Sequence, residues 1–223
     1  MKIAPFGSWK SPITSDLIVS KTIGLAGVAS DKNNIYWLES RPTEKGRNVL
    51  VKLSSDGTVE DVTPQPFNIR TRVHEYGGGA YLIEDETVYF SNYQDGRVYQ
   101  QQIGKSPEVI TPESAMRYAD FVLDRERNRL ICVAEDHTKT DSEPVNSIIA
   151  IALNTGEITP LVTGNDFYTS ARISPDGKQL AFISWDHPDM PWDSSYLRLG
   201  NIAEDGSIED IEIVAGGEAE SIC

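Results

Sequence analysis

Asn34-Ile35-Tyr36-Trp37-Leu38 is a short run of β-branched, aromatic and aliphatic residues, and its like returns three times. The others are Thr87-Val88-Tyr89-Phe90-Ser91, Arg129-Leu130-Ile131-Cys132-Val133 and Gln179-Leu180-Ala181-Phe182-Ile183. Residues 35, 88, 130 and 180 hold equivalent places, at intervals of 53, 42 and 50. Side chains of this kind suit a pleated, buried surface, so each run predicts a strand. A second strand follows each, at Asn48–Leu53, Arg97–Ile103, Ser147–Leu153 and Ser195–Ile202, and here the equivalent residues 49, 98, 148 and 196 are spaced by 49, 50 and 48. Turn chemistry then arrives on schedule. Ser55-Asp56-Gly57, Asn154-Thr155-Gly156 and Asp205-Gly206 lead into Val59–Val62, Glu157–Val162 and Ile208–Val214, and Gly104-Lys105-Ser106 does the same job in the second repeat. Glycine supplies positive φ there, and Asp or Asn a local side-chain hydrogen bond. A further strand precedes each opening run, at Leu25–Ala29, Gly79–Ile83, Tyr118–Leu123 and Thr169–Ser174.

The repeating unit is thus a meander of four short strands, roughly 48 residues long, and units of that size are the mark of a β-propeller. A β-sandwich would not give four equivalent units in phase, and a single sheet would leave long edges bare. The fold class expected is all-β, with four four-stranded antiparallel blades at about 24–64, 75–114, 117–164 and 167–217. Residues 1–23 read as an N-terminal extension. Within it Ser11–Ile18 is expected to form one or two helical turns, with Ser11 as cap and Pro12 in the first position. Residues 218–223 read as the lead into a fifth blade, so a part of a seven- or eight-bladed propeller is expected. Two uncovered blade edges then predict self-association of the isolated chain.

Composition narrows the function. The 223 residues carry 20 Lys+Arg against 34 Asp+Glu, a formal charge of −14, with no basic block. That balance argues against nucleic acid, whose phosphates need a basic surface. No apolar run approaches a membrane span, and the first 20 residues lack a signal peptide's apolar stretch. Cys132 and Cys223 give no disulfide framework, so a reducing, cytoplasmic setting is the expectation.

Four stretches point to a family. Phe6-Gly7-Ser8-Trp9-Lys10-Ser11-Pro12-Ile13-Thr14, Arg70-Thr71-Arg72-Val73-His74-Glu75-Tyr76-Gly77-Gly78-Gly79-Ala80-Tyr81, Ser174-Pro175-Asp176-Gly177 and Ser184-Trp185-Asp186-His187-Pro188-Asp189-Met190-Pro191-Trp192-Asp193 resemble the propeller of bacterial prolyl-oligopeptidase-family serine peptidases. The nearest branch is the acylaminoacyl-peptidase or dipeptidyl-aminopeptidase type. The resemblance implies a propeller followed by a C-terminal α/β-hydrolase domain that cleaves short peptides and holds the catalytic serine, aspartate and histidine. This sequence has neither the Gly-x-Ser-x-Gly elbow nor the βα alternation of such a domain. It matches the non-catalytic part only, so no catalytic residue, metal or cofactor is assigned and no turnover is expected of this chain alone. Its expected partners are the hydrolase domain and a peptide substrate. A stand-alone protein-binding scaffold is the alternative, and a glycan-modifying propeller a weaker third.

Two motifs carry the candidate site residues. In the first, the glycines after Glu75 and Tyr76 let the backbone pass tightly into its blade, while Glu75 and Tyr76 themselves are candidates to line a channel. In the second, Asp186, His187, Trp192 and Asp193 offer carboxylates, an imidazole and an indole. Metal ligation lacks the usual spacing there, leaving loop structure or recognition. In a meander the first motif is a connection between blades and the second a loop between the second and third strands. Both fall on one face, together with loops 41–47 and 136–144. A face with long, individual loops is where binding usually sits. The resemblance implies that such loops pack on the hydrolase domain and shape entry to it, and Glu75, Asp186 or Asp193 could hold a peptide's free amine.

Overall fold

The computed structural model describes residues 3–19, 22–139 and 141–222. Each repeat folds into its own antiparallel sheet with strands in chain order. The first holds β1 (Gly24–Asp31), β2 (Asn34–Arg41), β3 (Arg47–Leu53) and β4 (Val59–Asp61). The second holds β5 (Tyr81–Glu84), β6 (Thr87–Ser91), β7 (Val98–Gln102) and β8 (Glu108–Val109). The third holds β9 (Met116–Asp124), β10 (Arg129–Asp136), β11 (Val145–Ala152) and β12 (Ile158–Val162). The fourth holds β13 (Phe167–Ile173), β14 (Gln179–Trp185), β15 (Ser195–Ile202) and β16 (Ile208–Gly217). The first strands of successive sheets lie side by side, β1 by β5, β5 by β9 and β9 by β13, while β13 has no comparable packing against β1. The sheets are the blades of an incomplete propeller.

Apolar side chains explain the stacking. Strand β10 is buried on both faces, and its alternation sorts the side chains between two neighbours. Leu130, Cys132 and Ala134 pack with Tyr89 and Val98 of the second blade. Ile131 and Val133 pack with Leu180, Phe182 and Tyr168 of the fourth. A third cluster joins Tyr36, Leu38 and Leu50 to Val88 and Phe90. The repeated aromatics therefore fill the spaces between blades, except Trp37, whose half-buried indole donates to Glu39 Oε1 at 3.2 Å. Cys223 lies outside the described residues. On the outermost faces, Leu25 and Val28 of β1 and Ile213 and Val214 of β16 stay exposed.

Polar clasps join the blades on the face of the short turns. Asp31 accepts the backbone N–H groups of Asp85 and Glu86 at 3.2 and 2.8 Å, and Lys32 pairs with Glu86 at 3.0 Å. Arg125 reaches back to Glu84 and Asp85. Arg129 donates to Gly206 O at 2.8 Å, held by Asp124 at 2.9 Å.

A bulge recurs in the first strand of three blades, at Gly27, Asp120 and Ser170, with φ of +58°, +57° and +58°. Such a bulge re-aims its side chain, and in the third blade it points the Asp120 carboxylate at its neighbours. The Asp120 Oδ1 atom accepts the Gly79 N–H at 2.6 Å. A Cβ on Gly79 would stand 2.7 Å from that oxygen, which is why a glycine closes the first motif.

The N-terminal helix differs from expectation. It is α1 (Ser15–Val19), and its cap is Thr14, whose Oγ1 accepts the Leu17 N–H at 3.1 Å. A cap must stand directly before the first helical residue to reach that N–H. Ser11 instead closes the preceding turn, accepting the Ile13 N–H at 3.0 Å.

Candidate functional site

The starts of first strands, the ends of second strands and the starts of third strands share one face, and a cleft opens there over the third and fourth blades. Its volume is about 410 Å³. The floor is Glu135 near the end of β10, in the alternation set of Ile131 and Val133, where the pattern favours an apolar residue. The residue is only 3% exposed. Burying a carboxylate is costly unless donors surround it. Here the His74 N–H donates to Oε1 at 2.5 Å, His137 Nε2 meets Oε2 at 2.9 Å, and Arg117 stands at 3.6 Å.

One wall is aromatic. Phe167 and Trp185 are directly opposed on β13 and β14, and their rings stack at 5.2 Å and 16°. The His74 ring sets its edge against both, at 5.9 and 5.4 Å, and Tyr76 lies 5.6 Å from it. The His187 ring lies 4.9 Å from Phe167, its Nδ1 at 2.9 Å from Asp166. The rim is acidic. Glu75 pairs with Arg117 at 2.7 Å, which holds its carboxyl below the usual range. Glu143 and Asp189 line the cleft with no ion-pair partner among the described residues.

Burial pushes the His74 pKa down, against the opposing charges of Glu135 and Asp120, and its Nε2 has no hydrogen-bond partner. The unfolded chain, with a histidine pKa near 6.5, then binds the extra proton first as pH falls. Stability is present above that pH and declines below it, by at most about 1.4 kcal/mol per pH unit from this residue. The unfolding free energy from urea titrations is expected to fall further between pH 7.5 and 5.5 for the native chain than for His74→Gln. Equal falls would exclude the effect.

Of the residues singled out in the sequence, Glu75, Tyr76 and His187 line the cleft. Asp186 stands behind it, accepting from Asn165 Nδ2 and the Asp166 N–H, both at 2.7 Å. Asp193 folds its own loop, its Oδ2 accepting the Met190 N–H at 3.4 Å and its N–H donating to Met190 O at 2.8 Å. Trp192 is 64% exposed and outside the cleft. Sequence reading missed Arg117, Glu135, Glu143, Phe167 and Trp185. The signal for Glu135 was a carboxylate directly after the apolar run Leu130–Ala134.

No family model and no curated protein matches the sequence. Solved structures do. Puromycin hydrolase superposes with a TM-score of 0.86 at 32% identity over 98% of this chain. A puromycin-hydrolyzing peptidase from Mycobacterium tuberculosis gives 0.84 at 35% identity over 97%. The chain spans only 36% of each of those proteins. This chain is a propeller segment of the prolyl-oligopeptidase family. It is built of four-stranded blades, and its cleft lies on the face with the longer loops. TolB from Acinetobacter baumannii, at 15% identity and a TM-score of 0.60 over 89% of this chain and 45% of its own, shares the fold alone.

Proposed function

We propose that this prolyl-oligopeptidase-family propeller is the non-catalytic domain of a serine peptidase acting on short peptides. Its long-loop face docks on a C-terminal α/β-hydrolase domain and gates entry to it, and the cleft takes the free amine of the peptide. The observation that carries this reading is the meeting of Phe167, Trp185 and His74 in one cleft with the carboxylates of Glu143 and Asp189, which have no ion-pair partner among the described residues. A primary ammonium suits such a site, drawn to ring faces and to carboxylates that accept its three donors. The buried Glu135 adds negative charge from below while its own oxygens stay engaged. The matched structures are named for hydrolysing puromycin, which agrees with a peptidase parent.

The test is a calorimetric titration of Phe-Gly-Gly against its N-acetyl derivative. Loss of the ammonium is expected to weaken binding at least about fivefold, as removal of one charge-assisted contact does. A Glu143→Gln/Asp189→Asn chain should lose most of that preference. Equal affinity for the free and acetylated peptides would overturn the amine reading of the cleft.

A further inference from the structure

Beside the acidic cleft lies a second cavity of about 240 Å³, and Arg117 and His137 line both. Its chemistry is the opposite. The connection between the first and second blades runs through it with an alternating pattern: Ile69, Thr71 and Val73 are buried, while Arg70 and Arg72 are exposed. Backbone pairing fixes this stretch, the Arg70 N–H donating to Ser91 O at 3.2 Å and Ile69 bridging to Asn92. The two guanidinium groups come to rest over one ring, 4.9 and 5.1 Å from the centroid of Tyr93.

Neither arginine forms an ion pair with a carboxylate among the described residues, although the protein carries 34 acidic side chains. Arg72 touches the acidic rim only at longer range, as one of the weaker charges acting on Glu75. The carboxylate on the wall of this cavity, Asp95, is already engaged. Its oxygens accept from Asn92 Nδ2 at 3.0 Å, the Arg97 N–H at 3.1 Å and the Tyr99 hydroxyl at 2.6 Å. Arg117 is likewise committed, to Glu75 and to Arg72 O at 2.9 Å. Two like charges are thus gathered on one ring with no carboxylate paired to them among the described residues. A planar fork of donors, restrained by an aromatic face, is the arrangement that receives a carboxylate in bidentate fashion.

We propose that Arg70 and Arg72, held over Tyr93, form a carboxylate subsite that takes the C-terminal carboxylate of a short peptide whose amine lies in the adjoining cleft. This rests on the cleft reading above and extends it to a substrate class: unblocked short peptides, zwitterions with both ends free. An acidic side chain at the far end of a longer peptide would meet the same chemistry.

The experiment compares Phe-Gly-Gly with its C-terminal amide, by calorimetry, on the native chain and on Arg70→Gln, Arg72→Gln and the double variant. Both positions are exposed, so thermal melting should be unchanged and will confirm folding. The native chain is expected to bind the acid about tenfold more tightly than the amide, and the double variant less than twofold. Equal binding of acid and amide by the native chain, or a full acid preference kept in the double variant, would overturn the subsite. Inorganic phosphate gives a separate arm: saturable binding lost in the double variant, together with discrimination of acid from amide, supports the carboxylate subsite. Phosphate binding without discrimination of acid from amide overturns the carboxylate assignment. The N-acetyl comparison tests the cleft alone, so the two readings fail separately.

Discussion

Asp120→Ala is expected to destabilise the chain by about 3 kcal/mol, because one carboxylate ties three blades together. From its bulge in β9, Oδ1 accepts the Gly79 N–H at 2.6 Å, just before the second blade. The other oxygen accepts the Thr169 hydroxyl at 2.8 Å and the Ser170 N–H at 3.3 Å, both on β13 of the fourth blade. Hydrogen bonds to a charged acceptor contribute more than neutral ones, and truncation leaves donors from two blades facing each other unpaired. Alanine must also adopt the φ of +57° found there, which costs about 1 kcal/mol that Asn escapes. Asp120→Asn should therefore lose only about half as much. Urea denaturation followed by circular dichroism measures both, and a loss under 1 kcal/mol for the alanine variant would show that apolar packing alone joins the blades.

Gly156→Ala should cost about as much for a steric reason. Gly156 turns the chain between β11 and β12 at φ +72°, its N–H donating to Ala152 O at 2.8 Å. A Cβ there would drive into the Ile110 carbonyl oxygen of the second blade, well inside van der Waals contact. The left-handed conformation costs a non-glycine residue about 1–2 kcal/mol, and forcing two backbones apart adds about 1–3 kcal/mol. Gly57→Ala is the matched control: it has φ +87°, but a Cβ there would meet only open space. It should lose about 1 kcal/mol, from conformation alone. If the two variants melt alike, the contact between the Gly156 turn and Ile110 has no energetic weight.

The strands were legible because what defines them is local. Tyr36, Phe90 and Phe182 stand within runs whose ends carry their own turn residues, and burial follows from the alternation. Asp56 and Asp205 show the same locality, accepting the N–H groups of Thr58 and Ser207 two residues on, both at 2.9 Å. The cleft was legible only in part. Glu75, Tyr76 and His187 stood out through distinctive motifs, yet the motif that supplied His187 also supplied Trp192 and Asp193, which serve their own loop or face solvent. Phe167 and Trp185 become a pair only through the register of β13 against β14, and His74 reaches them from another blade. Arg70 and Arg72 acquire meaning only when Tyr93, from the second blade, comes under them. No spacing in the chain encodes such meetings.

Cys132 sits wholly buried in the packing between the second and third blades, and burial pushes its thiol far above the ordinary range. A thiol so placed is inert until its neighbours separate. Its rate of alkylation, read at Cys132 separately from Cys223, is therefore a clock for one particular event, the parting of those two blades. Comparing that clock with overall melting would tell whether the molecule comes apart blade by blade or all at once.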